Sequence, residues 1–247
     1  QVCTDWFGSS AMADAINAGQ DLHLVTAASI LGITYDDAVE RRAAGDKAIK
    51  QARQQAKAAN FGFPGGLGVA AFREYASAGY GVEVTEEEAK RLKQTWLDSY
   101  PEMRKYFDRI STQCGPVGQF EATQVRSNRV RGQCGYCDGA NTYFQGLAAD
   151  GARDAVYRVV KATHTPDDAL YGCHVVAFIH DEVIIEAPSE RIHEAGERLS
   201  ELMIAAMAEW CPDVTIRAEA HAMERWYKDA EPVHQAGRLV PWRPREA

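Results

Sequence analysis

The sequence predicts an α+β fold, helical over roughly its first half and mixed with strands after residue 114. Three observations carry the prediction. Residues 48–61 contain no Pro or Gly and are rich in Ala, Gln, Lys and Arg, the composition of a helix. Thr85 with Glu88 three residues on, followed by Ala89, Leu92, Trp96 and Leu97 at helical spacing, is a capping box opening an amphipathic helix. Two β-branched apolar runs, residues 173–179 and 182–188, flank the polar break His180-Asp181 and read as a hairpin, although the break lacks an Asn-Gly or Asp-Gly turn signal. Helices first and strands mixed with helices afterwards is an α+β order.

The elements follow in turn. The first 31 residues carry Ala, Leu and Ile at helical spacing around the polar break Gly19-Gln20-Asp21-Leu22-His23. The helix over 48–61 runs into Phe61-Gly62-Phe63-Pro64-Gly65-Gly66-Leu67-Gly68, where Gly and Pro end it. Pro101 closes the helix that Thr85 opens. Residues 114–140, rich in Gly and polar side chains, are expected to be loops and short strands. A long helix is expected from Asn141 to Lys161, through Phe144, Leu147, Ala148 and Val156. Residues 189–210 form an amphipathic helix with Ile192, Leu199, Leu202, Met203 and Ala206 on its buried side. Glu224-Arg225-Trp226-Tyr227 is expected as a closing strand or turn. The tail from His234, rich in Pro and Arg, is expected to be loose.

Composition narrows the class of protein. The 247 residues are 46% hydrophobic and 25% charged, which excludes a disordered or collagen-like chain and allows one large domain or two smaller ones. No apolar run is long enough to cross a membrane. The N-terminus has neither a basic nor an apolar leader segment, and it lacks an initiating Met, so the chain is expected to begin part-way through something longer. Six cysteines in a chain of this length do not form a disulfide framework, which favours a reducing, cytoplasmic compartment. The net charge of −8 argues against coating nucleic acid by bulk charge. Locally the balance reverses: between Arg41 and Lys57 lie six cations against the single acid Asp46.

Two constellations have chemical potential. Arg53, Lys57 and Phe61 stand at i, i+4 and i+8, so they share one broad helix face. Two cations beside an aromatic ring suit a nucleoside triphosphate; spacing alone favours a solvated basic face whose Phe is core. His180-Asp181-Glu182 lies where two apolar strands meet. A carboxylate there suits a hard divalent metal such as Mg²⁺, and a plain polar turn is the commoner use of such residues. Other motifs fail on context. Gly66-Leu67-Gly68-Val69-Ala70-Ala71 fits a dinucleotide fingerprint but follows a helix rather than a strand, and there is no P-loop motif. Cys114, Cys134 and Cys137 offer three thiols to zinc without an evident fourth ligand, and no βαβ pattern supports a redox role. His164, His193, His221 and His234 read as surface residues.

Four strings, taken together and in order, resemble the motifs of family A DNA polymerases. Arg53-Gln54-Gln55-Ala56-Lys57-Ala58-Ala59-Asn60-Phe61-Gly62 is similar to that family's fingers-helix motif R-x-x-x-K-x-x-x-F-G. Phe178-Ile179-His180-Asp181-Glu182-Val183 is similar to its palm motif, Gly19-Gln20-Asp21-Leu22-His23 to its G-x-D-x-H, and Asn141-Thr142-Tyr143-Phe144-Gln145-Gly146-Leu147-Ala148-Ala149-Asp150 to its N-x-x-x-Q-G-x-A-A-D helix. The resemblance covers about residues 12–230. It implies a right-hand polymerase architecture: mostly helical fingers over 1–120 with a nucleotide-binding helix at 48–62, and the C-terminal part of an antiparallel-sheet palm over 121–233 with its hairpin around 173–188. The loose tail over 234–247 follows, and thumb and exonuclease are missing.

The implied roles are carried residue by residue. Arg53 and Lys57 would bind the triphosphate of the incoming dNTP, with Lys57 also placed to protonate the leaving pyrophosphate. His23 would contact the same phosphates, and Phe61 would stack near sugar and base and discriminate against dideoxynucleotides. Asn141, Gln145, His180, Gly65 and Gly66 would face the DNA template–primer. Asp181 would be a catalytic ligand of two Mg²⁺ ions, supported by Glu182. Two departures stand out. Gly65 occupies the position where the family carries a Tyr that fills the template-base site. The family's other metal-binding Asp, in a D-x-S-x-x-E-x-R motif ahead of G-x-D-x-H, has no match, so an upstream polypeptide or segment is expected to supply it with the thumb. The expected activity is template-directed DNA synthesis in replication, repair or phage propagation, with no membrane partner. The alternatives are a non-catalytic DNA-binding subunit or inactive remnant of the same fold, and a Cys-based metal or redox protein.

Overall fold

The computed structural model describes residues 1–244. The chain divides into two compact units, Gln1–Leu147 and Ala148–Ala247, the division falling within one long helix. This division by packing leaves the fingers–palm boundary near residue 120 an expectation.

The first unit is built from helices α1 (Val2–Phe7), α2 (Ala11–Asn17), α3 (Leu22–Leu31), α4 (Tyr35–Ala43), α5 (Lys47–Gly62), α6 (Val69–Tyr80), α7 (Glu86–Ser99) and α8 (Glu102–Cys114), then the hairpin β1 (Phe120–Thr123) and β2 (Val130–Cys134). Asp21, Thr34, Asp46 and Thr85 each cap the helix that follows with a side-chain oxygen, and Thr34 and Thr85 close full capping boxes. Helices α3 and α5 meet through Ala27, Ala52 and Ala56, all buried. Small side chains let the two backbones approach, and Leu24, Ala28, Ala38 and Ile49 close the adjoining core. On the other side of α5, Phe63 stacks on Phe72 at 4.2 Å and meets Trp96 at 5.6 Å.

The long helix α9 (Tyr136–Thr163) begins five residues before the Asn141 expected from sequence. Gly139, which breaks the apolar pattern there, is covered by the Phe120 ring, against which a Cβ would collide. Packing from the β1–β2 hairpin thus overrides the local composition.

The second unit takes up α9 from Ala148 and adds the hairpin β3 (His174–Ile179) and β4 (Glu182–Glu186), helix α10 (Ile192–Trp210) and the hairpin β5 (Val233–Gln235) and β6 (Arg238–Val240). Strands β3 and β4 pair antiparallel from His174–Glu186 to Ile179–Glu182, leaving His180-Asp181 as a two-residue turn. His180 takes a positive φ of 58°, a conformation His tolerates better than most residues, which explains the hairpin without an Asn-Gly signal. One face of this sheet joins a core of Val159, Ala162, Leu170, Cys173, Val183 and Ala195, with Leu199, Leu202 and Met203 of α10 packed against it. Val176, Phe178 and Ile179 are instead exposed, and the sheet has only these two strands among the described residues.

The tail departs from expectation. His234 and Gln235 lie in β5, Leu239 of β6 is buried, and Met223 bridges to Trp242, whose ring stacks on Tyr227 at 5.1 Å. Buried apolar side chains hold the segment that its Pro and Arg content marks as loose. The rest of that expectation, residues 245–247, lies outside the described residues. Replacing the Thr85 hydroxyl removes one half of a closed capping box, so Thr85→Ala is expected to cost about 1 kcal/mol of stability in chemical denaturation.

Candidate active site

Asp21 organises one surface of the first unit, where α3, α4 and α5 meet. Its Oδ1 accepts from the backbone N–H groups of His23 (2.9 Å) and Leu24 (3.3 Å), capping α3. Its Oδ2 accepts from the Arg53 guanidinium of α5 through Nη2 at 2.8 Å and Nε at 3.2 Å, and from Arg42 Nη1 of α4 at 3.1 Å. Partial burial pushes this carboxyl upward, but the hydrogen bond and charge of Arg53, with the two backbone N–H groups, outweigh it and hold the group below its ordinary value.

His23 is the second residue of α3, in its first turn. Its Nδ1 lies 3.1 Å from Asn60 Nδ2, and its ring lies 5.3 Å from that of Phe61. Desolvation lowers its pKa, the Asp21 charge opposes the fall, and the Arg53 and Lys57 charges add to it, so the surroundings favour the neutral imidazole. Phe61 is 59% exposed and is backed by Tyr80, nearly parallel at 6.3 Å. Lys57 is half-buried and makes no hydrogen bond or ion pair among the described residues. His23, Arg53, Lys57 and Phe61 therefore belong to one surface, two of them tied directly to Asp21.

Gly65 and Gly66 end the turn after α5. A Cβ on Gly65 would lie 2.8 Å from the Asn141 amide, and one on Gly66, whose φ is 81°, would lie 2.7 Å from the Tyr136 ring. The space beside each glycine is thus filled from the first turns of α9, which joins Gly65, Gly66 and Asn141 in one contact. Gln145, a turn later, is exposed. Arg131 bonds Thr142 Oγ1 at 2.9 Å and Asp138 at 3.2 Å, and Arg129 bonds the Gly146 carbonyl at 3.1 Å, so a basic hairpin flanks this helix.

His180, Asp181 and Glu182 are exposed at the tip of the β3–β4 hairpin in the second unit. Glu182 Oε1 accepts from Trp226 Nε1 at 3.2 Å, whereas Asp181 has no hydrogen bond or ion pair among the described residues. Among those residues no group of three or more His, Cys, Asp or Glu could hold a metal ion. The donors at the tip fit Mg²⁺, which binds through one or two carboxylates and completes its sphere with water and phosphate oxygens. They do not form an all-protein cage.

A family model described as DNA polymerase family A matches residues 2–228. The chain belongs to that family. DNA polymerase I of Aquifex aeolicus (strain VF5) is 28% identical over 229 residues, covering 93% of this chain and 38% of the relative. DNA polymerase I of Lactococcus lactis subsp. lactis (strain IL1403) is 25% identical over 230 residues, covering 90% of this chain and 24% of the relative. The chain therefore spans 24–38% of the length of these two relatives. Among solved structures, the POL domain of Pol1 from M. smegmatis, in complex with DNA primer-template and dNTP, superimposes with a TM-score of 0.62 at 21% identity over 83% of this chain and 34% of that one. The family A fold read from the four motifs is thereby established, as a helical chain with small antiparallel sheets.

Sequence reading missed two residues inside the motifs it used. Asp21 and Asn60 were part of the quoted strings without a role, and their partners lie 32 and 37 residues away in sequence. A signal existed in each: Asp21 precedes an apolar helical run at N-cap spacing, and Asn60 is a polar residue with poor helix propensity inside α5.

Two outcomes follow. The Asp21 pKa is lower folded than unfolded, so its contribution to stability is complete above the unfolded value, about 3.9, and is lost as pH falls through the folded value. Asp21→Asn is expected to destabilise the protein near neutral pH and to flatten that acid-side loss in denaturation midpoints measured against pH. Gly65→Ala is expected to cost about 1–3 kcal/mol through overpacking against Asn141, read by the same denaturation assay.

Proposed function

We propose that this chain carries the nucleotide-binding fingers and part of the palm of an enzyme that adds dNTPs to a primer 3′-end under template direction. The observation that supports this most is the surface shared by Arg53, Lys57, His23 and Phe61, whose residue types match a triphosphate, a sugar and a base. In this reading Arg53 exchanges its Asp21 partner for phosphate oxygens, its planar fork suiting either. Lys57, lacking an anionic partner, holds the same phosphates and donates a proton toward the leaving pyrophosphate. Phe61 packs on the sugar and base with Tyr80 behind it and discriminates against a dideoxy sugar.

Asn141, Gln145, Gly65 and Gly66 face the template–primer, as does His180 at the primer end. Asp181, assisted by Glu182, would hold Mg²⁺, which when bound supplies charge stabilisation for the phosphates. The second metal carboxylate and the thumb come from a segment outside this sequence, which has no match to the D-x-S-x-x-E-x-R motif. The POL domain of M. smegmatis Pol1 is in complex with DNA primer-template and dNTP, which supports these two ligand classes here.

Primer extension with Mg²⁺ and four dNTPs tests the reading, using this chain alone and together with a polypeptide carrying the upstream palm motif. Extension is expected in the mixture, abolished by Asp181→Ala and lowered about 10²–10³-fold by Lys57→Ala, as on removal of one transition-state donor. Intact primer–template binding without extension in either arrangement would instead identify a non-catalytic DNA-binding subunit.

A further inference from the structure

We infer that Asn60, oriented by Trp96, is a positioning residue that fixes His23 as the neutral tautomer protonated on Nε2. The argument is an inventory of protons. The indole of Trp96 is a donor only, and its Nε1 lies 2.9 Å from Asn60 Oδ1. The Leu22 carbonyl is an acceptor only, and it lies 3.1 Å from Asn60 Nδ2. Turning the amide over would set N–H against N–H at Trp96 and oxygen against oxygen at Leu22, so both contacts select one orientation. Thr26 Oγ1 lies 3.0 Å from Asn60 Oδ1 and 3.1 Å from the Leu22 carbonyl, so its one proton serves one of these two acceptors, and it meets the Tyr100 hydroxyl at 3.1 Å.

With the amide so oriented, its second N–H faces His23 Nδ1 at 3.1 Å. A proton on Nδ1 would oppose two donors across that distance, so Nδ1 accepts and the ring proton resides on Nε2. Nε2 has no hydrogen-bond partner among the described residues, which leaves a neutral N–H donor for a ligand. The charged groups around the ring are Asp21 at the cap of α3 and Arg53 and Lys57 of α5, with the uncharged hydroxyls of Thr26 and Tyr100 and the indole of Trp96 behind Asn60. The ring thus presents a hydrogen bond, without a third full charge, beside Arg53 and Lys57. That use of Nε2–H toward a phosphate rests on the function proposed above; the tautomer itself does not.

Long-range ¹H–¹⁵N correlation spectra of the ¹⁵N-labelled protein, with His23 assigned by its loss in His23→Gln, test the inference. Near neutral pH, Nδ1 is expected to show the shift of an unprotonated ring nitrogen and Nε2 that of a protonated one. A proton on Nδ1, a rapid mixture of tautomers or a doubly protonated ring would overturn the assignment. Asn60→Asp replaces the facing N–H by a carboxylate oxygen and is expected to raise the His23 titration midpoint by about one unit. Should that variant not fold, Trp96→Phe removes the indole donor and is expected to shift the pattern toward a tautomer mixture. An unchanged His23 pattern in whichever of them folds overturns the role of Asn60. Addition of a deoxynucleoside triphosphate separates the two claims. The expected tautomer with an Nε2 proton that does not move on addition refutes the nucleotide reading and leaves the tautomer assignment standing.

Discussion

Three helices of the first unit converge on a single carboxylate. Asp21 closes the open N-terminus of α3 with one oxygen and receives a cation from α4 and another from α5 with the other. Each helix would otherwise present an unmet charge or backbone donor at a half-buried junction, and such groups cost free energy when unpaired. The convergence sets where His23 emerges from α3 and how Arg53 is aimed along α5. It also holds the Arg53 guanidinium in place through two bonds to one carboxylate oxygen.

The surface depends equally on residues with little or no side chain. Ala27, Ala52 and Ala56 bring α3 close enough to α5 for His23 and Asn60 to reach each other. Beyond the end of α5, Gly65 and Gly66 admit Asn141 and Tyr136 of α9 into space that any larger residue would claim. A Tyr at position 65 would therefore require the Asn141 amide to move. The volume beside that turn is occupied instead by an amide and a phenol anchored on a long helix.

Much of this was legible in the amino-acid string because it depends on local chemistry. The capping box at Thr85, the uninterrupted helix over α5 and the apolar runs of β3 and β4 are periodic or short-range signals, and each became the expected element. The motif residues Arg53, Lys57 and Phe61 fall on one face because helical geometry requires it. What escaped were features fixed by partners far along the chain: the early start of α9 under Phe120, the ordered strands β5 and β6, and the roles of Asp21 and Asn60. Periodicity carries no information about which distant side chain will satisfy a polar group, so these belong to tertiary structure alone.

The β3–β4 hairpin has a consequence of a different kind. Val176, Phe178 and Ile179 leave apolar side chains exposed on a sheet with two strand edges whose outer backbone groups have no ladder partner among the described residues. Such an edge templates the addition of further strands from any chain with a compatible pattern, another copy included. Colloidal behaviour is then tied to the same hairpin that carries Asp181. A strand added along that edge would meet the open backbone groups and cover apolar side chains in the same step.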